Sequence, residues 1–349
     1  AAPVGAETPL PRCNDLGATM FIHQPTEDVV GTAGDDVIIV FLNGPGATVK
    51  GLGGNDTICL EGSADFDVTV EGGAGDDTIF GYSRFGQLTT KPEYDRATTI
   101  LNGGRGNDEI HGGSGFDIID GGDGDDVIFG YQDFDVLNGG SGNDEIHGGQ
   151  SADLIMAGGG DDKVYGGPDD DEIHGGLGKD TLFGGAGNDI LLSHTDLYDE
   201  DANGIPSAGI TEDPAGINSV SIDLDIAGAR MFGGAGNDLL IGSNRWDRMQ
   251  GGNGNDVLFG LEGRDWMRGG AGNDIIFGGL NVDDVNGNLG KDEIIMIGPD
   301  VVSGGFGEDS CFYGPFSAQS ALTSCETVEV AGPEYNNVRG RISQRILFG

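Results

Sequence analysis

From residue 103 to residue 192 the chain repeats one nine-residue phrase ten times without slipping register: Gly-Gly-x-Gly-(Asn/Asp)-Asp-x-(Ile/Leu/Val)-x. GGRGNDEIH starts at Gly103, GGDGDDVIF at Gly121, GGSGNDEIH at Gly139 and GGAGNDILL at Gly184. A unit this short cannot bury its own apolar face, so a fixed period means stacking of one unit on the next. The unbroken run starts its units at Gly103, Gly112, Gly121, Gly130, Gly139, Gly148, Ala157, Gly166, Gly175 and Gly184. A second run of seven starts at Gly233, Gly242, Gly251, Gly260, Gly269, Gly278 and Gly287, and looser copies start at Gly31, Gly51, Gly72 and Gly304. That makes 21 recognisable units.

Numbered 1 to 9, each unit has one dependable core residue at position 8: Ile110, Ile119, Ile128, Leu137, Ile146, Ile155, Val164, Ile173, Leu182 and Leu191 in the first run. A nine-residue spacing between glycine-rich turns is incompatible with a helical period of 3.6. The pattern predicts very short strands at positions 7 to 9, with side chain 8 inward and side chains 7 and 9 outward. Two units then form one coil with a strand on each face, and the coils stack into a rod roughly 50 Å long. Phase survives the gaps, since Val49 leads Ile58, Val70 leads Ile79 and Met231 leads Leu240 by nine; the gaps read as degenerate coils carrying excursions. Position 9 predicts an outward stripe of His111, Phe129, His147, Tyr165 and Phe183, and a second of Ile241, Phe259, Phe277 and Ile295.

Composition narrows the class. Gly supplies 69 residues but Pro only 12, with no Gly-x-y triplet, which excludes collagen and argues against a flexible linker. The formal charge is −42, from 59 acidic and 17 basic residues. An acidic, halophile-like surface would account for the charge, but the acids recur at one fixed position, which points to bound divalent cations. About twenty Ca²⁺ would contribute roughly +40. The same charge disfavours nucleic acid as a partner. No stretch reaches 18 apolar residues, so no transmembrane segment is expected. The Ala-Ala-Pro-Val opening fits a mature end left by signal-peptidase cleavage, or a trimmed chain. The cysteines Cys13, Cys59, Cys311 and Cys325 form no CxxC pair, so a zinc site is not expected. Four cysteines allow three pairings, of which proximity favours Cys311–Cys325 and Cys13–Cys59, consistent with export to an oxidising compartment.

The phrase resembles the hemolysin-type, or RTX, calcium-binding nonapeptide GGxGxDxUx, where U is a large aliphatic residue, over about residues 31 to 312. The resemblance implies an all-β fold, a right-handed parallel β-roll (a two-sheet solenoid) with Ca²⁺ in the turns and non-repeat caps and insertions. It implies that Ca²⁺ is held by turn carbonyls and by the position-6 aspartate. In this chain those are Asp36, Asp56, Asp77, Asp108, Asp117, Asp126, Asp135, Asp144, Asp153, Asp162, Asp171, Asp180 and Asp189, then Asp238, Asp247, Asp256, Asp265, Asp274, Asp283, Asp292 and Asp309. Several hard oxygen ligands in a flexible turn suit Ca²⁺ better than Mg²⁺. Simple Asx turns are the structural alternative. The units at Gly130, Gly148, Gly242 and Gly278 lack glycine at position 4, so weak or empty sites are expected there, and about ten to twenty ions in all.

The expected organisation is an N-terminal cap (1–30), a first array (31–192, with an excursion at 82–100), an insertion (193–230), a second array (231–312) and a C-terminal cap (313–349). Within the insertion, Asp199, Asp201 and Asn203 resemble the start of a DxDxNG calcium loop, although Ile210 stands where its twelfth-position acid belongs; a solvated acidic loop is the alternative. The chain has no GxSxG, HExxH or P-loop, and no non-repeat segment is long enough for a catalytic domain. The expectation is a secreted, stand-alone calcium-binding protein, not an enzyme, whose folding is driven by extracellular Ca²⁺. Two alternatives stand beside it: a cell-surface, matrix or adhesin component binding a partner through the outward stripe, and an enzyme acting on polysaccharides or esters from the roll's surface. Partner and oligomeric state are not legible at this level.

Overall fold

A computed structural model describes residues 18–23, 28–42, 48–62, 67–81, 98–193, 199–200, 206–207, 228–296, 300–313, 321–325 and 327–330. The chain divides into two compact units, Ala1–Ile155 and Met156–Gly349. Both are parallel two-sheet β-solenoids, and no helix occurs among the described residues. Successive strands alternate between the two sheets, so each coil contributes one strand to each.

In the first unit, one sheet (hereafter the first sheet) runs Met20–His23, Val37–Leu42, Thr57–Gly62, Thr78–Phe80, Glu109–Ser114, Val127–Gln132 and Glu145–Gly149. The other, the second sheet, runs Val29–Val30, Thr48–Lys50, Val68–Ala74, Thr99–Arg105, Asp117–Asp123 and Val136–Ser141. Within the clean repeat the pairing step is two nonapeptides: Ile110 faces Ile128 and Ile128 faces Ile146, while Leu101 faces Ile119 and Ile119 faces Leu137. The gaps hold the ladder. Val49 pairs with Val70 and Val70 with Leu101, so the ladder keeps its register across these longer spacings.

The second unit repeats the plan, with its first sheet from Lys163–Pro168 to Ala321–Thr323 and its second from Glu172–Leu177 to Thr327–Val330. Here Leu182 pairs directly with Met231 and Leu191 with Leu240, so the ladder closes across the insertion. Loop-closure entropy rises only slowly with length, which lets a solenoid carry so long an excursion.

Every position-8 side chain of the first run is buried to 1% exposure or less. Two other positions join it inside: the position-6 aspartates are buried throughout, and position-1 residues such as Gly103 and Gly121 are buried beside them. This explains a departure from the expected three-residue strands. Strands such as Glu109–Ser114 and Val127–Gln132 run six residues, because the inward alternation of position 8 continues through the glycine at position 1. Only a minority, such as Leu239–Ile241 and Val257–Phe259, stop after position 9.

The predicted outward stripe needs correction. Ile241, Phe259, Phe277 and Ile295 are buried, at 4% exposure or less, packing as a row with Leu192, Leu239, Val257, Leu261, Ile275 and Phe312. His111 is buried too, at 5%. Phe129, His147, Tyr165 and Phe183 are half-buried. Apolar position-9 side chains pack with their neighbours above and below, so alternation alone overstates their exposure. Cys311 is disulfide-bonded to Cys325 as expected, and occupies the buried position 8 of its unit. Cys59 is disulfide-bonded; Cys13, its expected partner, lies outside the described residues. No helix among the described residues is long and apolar enough to cross a membrane.

Candidate metal centre

Each turn delivers its position-6 aspartate into a column running along the solenoid edge. In the first unit one column contains Asp36, Asp56, Asp77, Asp108, Asp126 and Asp144, each leading into a strand of the first sheet. The main-chain N–H of each aspartate donates to Oδ1 of the next: Asp56 to Asp77 at 2.8 Å, Asp77 to Asp108 at 2.6 Å, Asp108 to Asp126 at 2.7 Å and Asp126 to Asp144 at 2.8 Å. The opposite edge begins with Asp117, Asp135 and Asp153, linked in the same way at 2.8 Å. In the second unit Asp162 bonds Asp180, and Asp247, Asp265 and Asp283 continue that edge. The other edge links Asp171, Asp189, Asp238, Asp256, Asp274, Asp292 and Asp309.

One carboxylate oxygen is thus consumed by the scaffold. The second, Oδ2, is buried and accepts no hydrogen bond in Asp56, Asp77, Asp108, Asp126, Asp135, Asp189, Asp238, Asp256, Asp265, Asp274, Asp283 and Asp292. A buried anionic oxygen without a donor is costly, and its repetition in register calls for a common counter-charge. The position-1 glycine makes room for it: a Cβ on Gly103 would collide with Asp108 Oδ2 and with the carbonyl oxygen of Gly121 one coil on. The same cradle recurs at Gly121, where Asp126 Oδ2 and Gly139 O close in. The next glycines serve a different need, left-handed backbone, as at Gly104 (φ +111°) and Gly106 (φ +126°).

Burial drives these carboxyls upward. The Asp77, Asp126, Asp189, Asp256 and Asp292 pKa values rise to about 6, those of Asp108, Asp238, Asp274 and Asp283 to about 7, and those of Asp135 and Asp265 to about 9. Desolvation is the largest cause in each. Among the described residues no three His, Cys, Asp or Glu side chains converge on one point. A cation would therefore take one carboxylate oxygen per turn and draw its remaining ligands from main-chain carbonyls. Hard, oxygen-only donors of that kind fit Ca²⁺.

Two turns are built differently. In the unit at Gly31, Asp36 Oδ2 accepts the Thr32 N–H at 2.7 Å and the Thr32 hydroxyl at 2.9 Å. These bonds hold its pKa below the usual carboxylate value. In the unit at Gly242, Asp247 Oδ2 accepts the Ser243 N–H at 2.7 Å and hydroxyl at 3.1 Å. The other units lacking a position-4 glycine keep the left-handed turn with substitutes: Asp133 (φ 65°), Ser151 (φ 80°) and Asn281 (φ 80°). Asp169 (φ 79°) does the same in the unit at Gly166, a departure the sequence reading overlooked.

Asp300, outside the 21 recognisable units, joins the column as well. It is buried, and its Oδ1 accepts the Asp283 N–H at 3.1 Å, extending the column by one turn. The coil is one residue short, which hid it, yet Val302 still leads Cys311 by nine. Ala229 takes the column position before Asp247, donating its N–H to Asp247 Oδ1 at 2.7 Å, so the column has a rung without a carboxylate where the insertion returns. Of the proposed extra loop, Asp199 pairs with Ser207 in a short antiparallel bridge; Asp201 and Asn203 lie outside the described residues.

A parallel two-sheet solenoid with aspartate-lined turns is thus the class this chain falls into. The family model described as RTX calcium-binding nonapeptide repeat (4 copies) matches residues 69–83, 102–137, 129–164, 156–191, 230–258, 241–276 and 259–294. The repeats of both arrays belong to that family, and mark a calcium-binding β-roll. No curated protein sequence matches significantly. One solved structure it resembles is a hyperactive, Ca²⁺-dependent, β-helical antifreeze protein from an Antarctic bacterium. That similarity is 18% identity and a TM-score of 0.38, over 95% of this chain and 90% of the other, too low to transfer function.

Proposed function

We propose that this is a secreted calcium-binding β-roll whose repeats fold when extracellular Ca²⁺ enters the turns. The observation that carries the reading is the file of buried Oδ2 atoms without hydrogen-bond donors on both solenoid edges. The position-6 aspartates from Asp56 to Asp309 would hold the ions, with Asp300 added, together with turn carbonyls such as that of Gly121. The ions supply the positive charge that the buried carboxylates need. Asp36 and Asp247 are satisfied by Thr32 and Ser243 and fall outside the set, so the count lies toward the upper end of ten to twenty. Without Ca²⁺, carboxylate repulsion and glycine's conformational entropy oppose stacking. The Cys311–Cys325 disulfide supports an extracellular setting. Circular dichroism in EGTA, then in millimolar Ca²⁺, tests the proposal: strand signal should vanish and return. A spectrum indifferent to EGTA rejects calcium-driven folding.

The half-buried aromatic ladder Tyr165–Phe183–Phe232, stacked at 5.0 and 5.1 Å, favours a second role as a surface or matrix component.

A further inference from the structure

In a chain of charge −42, five of the 17 basic residues (Arg230, Arg245, Arg248, Arg264 and Arg268) and both tryptophans, Trp246 and Trp266, fall between residues 230 and 268. The aspartates of that stretch, Asp238, Asp247, Asp256 and Asp265, are all buried, which leaves Glu262 as its exposed acid. The outer face of the first sheet in the second unit is therefore locally cationic. Arg230 and Arg248 are exposed and directly paired across adjacent strands, an arrangement that like charges disfavour unless an anion joins them.

The band is ordered. Arg248 lies over the Trp266 ring at 4.5 Å from the side of the preceding coil. Arg268 lies over it at 4.0 Å and bonds Asp284, which pairs with Trp266 from the following coil, at 3.1 Å. With two guanidinium groups already over it, this indole is poorly placed to stack on a base or a sugar ring. What remains is donor edges suited to carboxylates. Trp246 stands beside the band at 49% exposure, and Arg and Trp are the residue types that dominate interface energetics.

The chain itself carries a matching surface. On the edge of the first unit that leads into the first sheet, position 5 reads Asp35, Asn55, Asp76, Asn107, Asp125, Asn143, all exposed and alternately charged and neutral. Oδ1 of each of the first five accepts the N–H of the residue one coil on, at 2.7 to 3.1 Å, which holds the carboxylates in register along the edge. Carboxylates two coils apart lie about 9–10 Å from each other.

We propose that the Arg/Trp band of one copy docks on the position-5 carboxylate row of a second copy. The proposal rests on the calcium reading, because copies at −42 would repel one another until bound cations offset the charge. Sedimentation velocity of the full chain in millimolar Ca²⁺ should show self-association at low salt that weakens at high salt. R230E/R248E/R264E, W246S and, separately, D35N/D76N/D125N should each weaken it by about tenfold or more. The Asn variant keeps every ladder acceptor, so it removes charge without removing the scaffold. A wild type that stays a single copy at every soluble concentration overturns the proposal, as does association that both charge variants leave intact. Binding of polygalacturonate by the wild type, lost in the Arg variant with no self-association, reassigns the band to an anionic glycan and also overturns it. Circular dichroism of each sample with Ca²⁺ and with EGTA separates failure to assemble from failure of calcium-driven folding.

Discussion

Three residues of the nonapeptide carry most of its chemistry, and each is constrained by a different force. The position-6 aspartate is drawn inward by the N–H of the neighbouring coil, while its second oxygen, as in Asp126, is buried without a donor, where we propose that a cation sits. Protons compete for the same oxygen. Because the folded-state pKa values of Asp135 and Asp265 reach about 9 and those of Asp108 and Asp238 about 7, above the ordinary 3.8, protonation stabilises the cation-free fold. That contribution is complete below about pH 4 and is lost as pH rises through 6 to 9. In EGTA the strand signal should therefore be stronger at pH 4.5 than at pH 8, and Ca²⁺ added to the chain folded at pH 4.5 should release protons to a weakly buffered solution. No proton release, with calcium binding intact, would show that the carboxylates are already ionised. The glycines divide between close approach at Gly103 and left-handed backbone at Gly104. G104A introduces a methyl at φ +111° against the carbonyl of Gly73 and should cost about 1–3 kcal/mol, read as a lower midpoint in calcium-loaded thermal unfolding. The sequence shows that these residues recur. It does not show that Thr32 and Ser243 silence their neighbouring aspartates, because a hydroxyl at position 2 acts only once the turn brings it to Oδ2.

At the scale of one coil, stability is set by nearest neighbours, so changes should act locally and add. S243G/R245G restores glycine at positions 2 and 4 of the unit at Gly242 and removes the hydroxyl that satisfies Asp247. Native mass spectrometry should then count one more Ca²⁺ per chain. D135N keeps an acceptor for the Asp117 N–H but removes one anionic oxygen, and should lose about one ion. An unchanged count in both variants would separate the aspartates from the metal. At the chain's C-terminal end, Cys311–Cys325 ties strand Ser310–Tyr313 to the segment 14 residues on. C325S should loosen that coil by about 3 kcal/mol, the loop-closure value, and hydrogen exchange should rise there while the central coils stay protected. The ladder itself was readable from nine-residue phase, including Val49 and Val70 in the gaps. Leu101 and Asp300 keep that phase too, leading Ile110 and Asp309 by nine, but neither of their units opens on the Gly-Gly pair, so strand pairing was needed to show them as rungs of the ladder.

For the whole molecule, period and composition were enough to require a stacked parallel solenoid with a narrow core and a large cation demand. A nine-residue unit with one aliphatic side chain has no other way to bury it, and acids at one fixed position must gather on an edge. Which outward side chains reach water was decided only by tertiary packing. Ile241, Phe259, Phe277 and Ile295 read as a surface stripe along the chain, yet they are buried among Leu239, Val257 and Ile275. The Arg/Trp band is invisible to the repeat, because its members occupy positions 4, 5, 7 and 9 of different units and meet only when coils stack. Periodicity determined the inside of this protein, where every unit faces the same demand. The outside depends on what neighbouring coils happen to place side by side, and for that the folded structure was required.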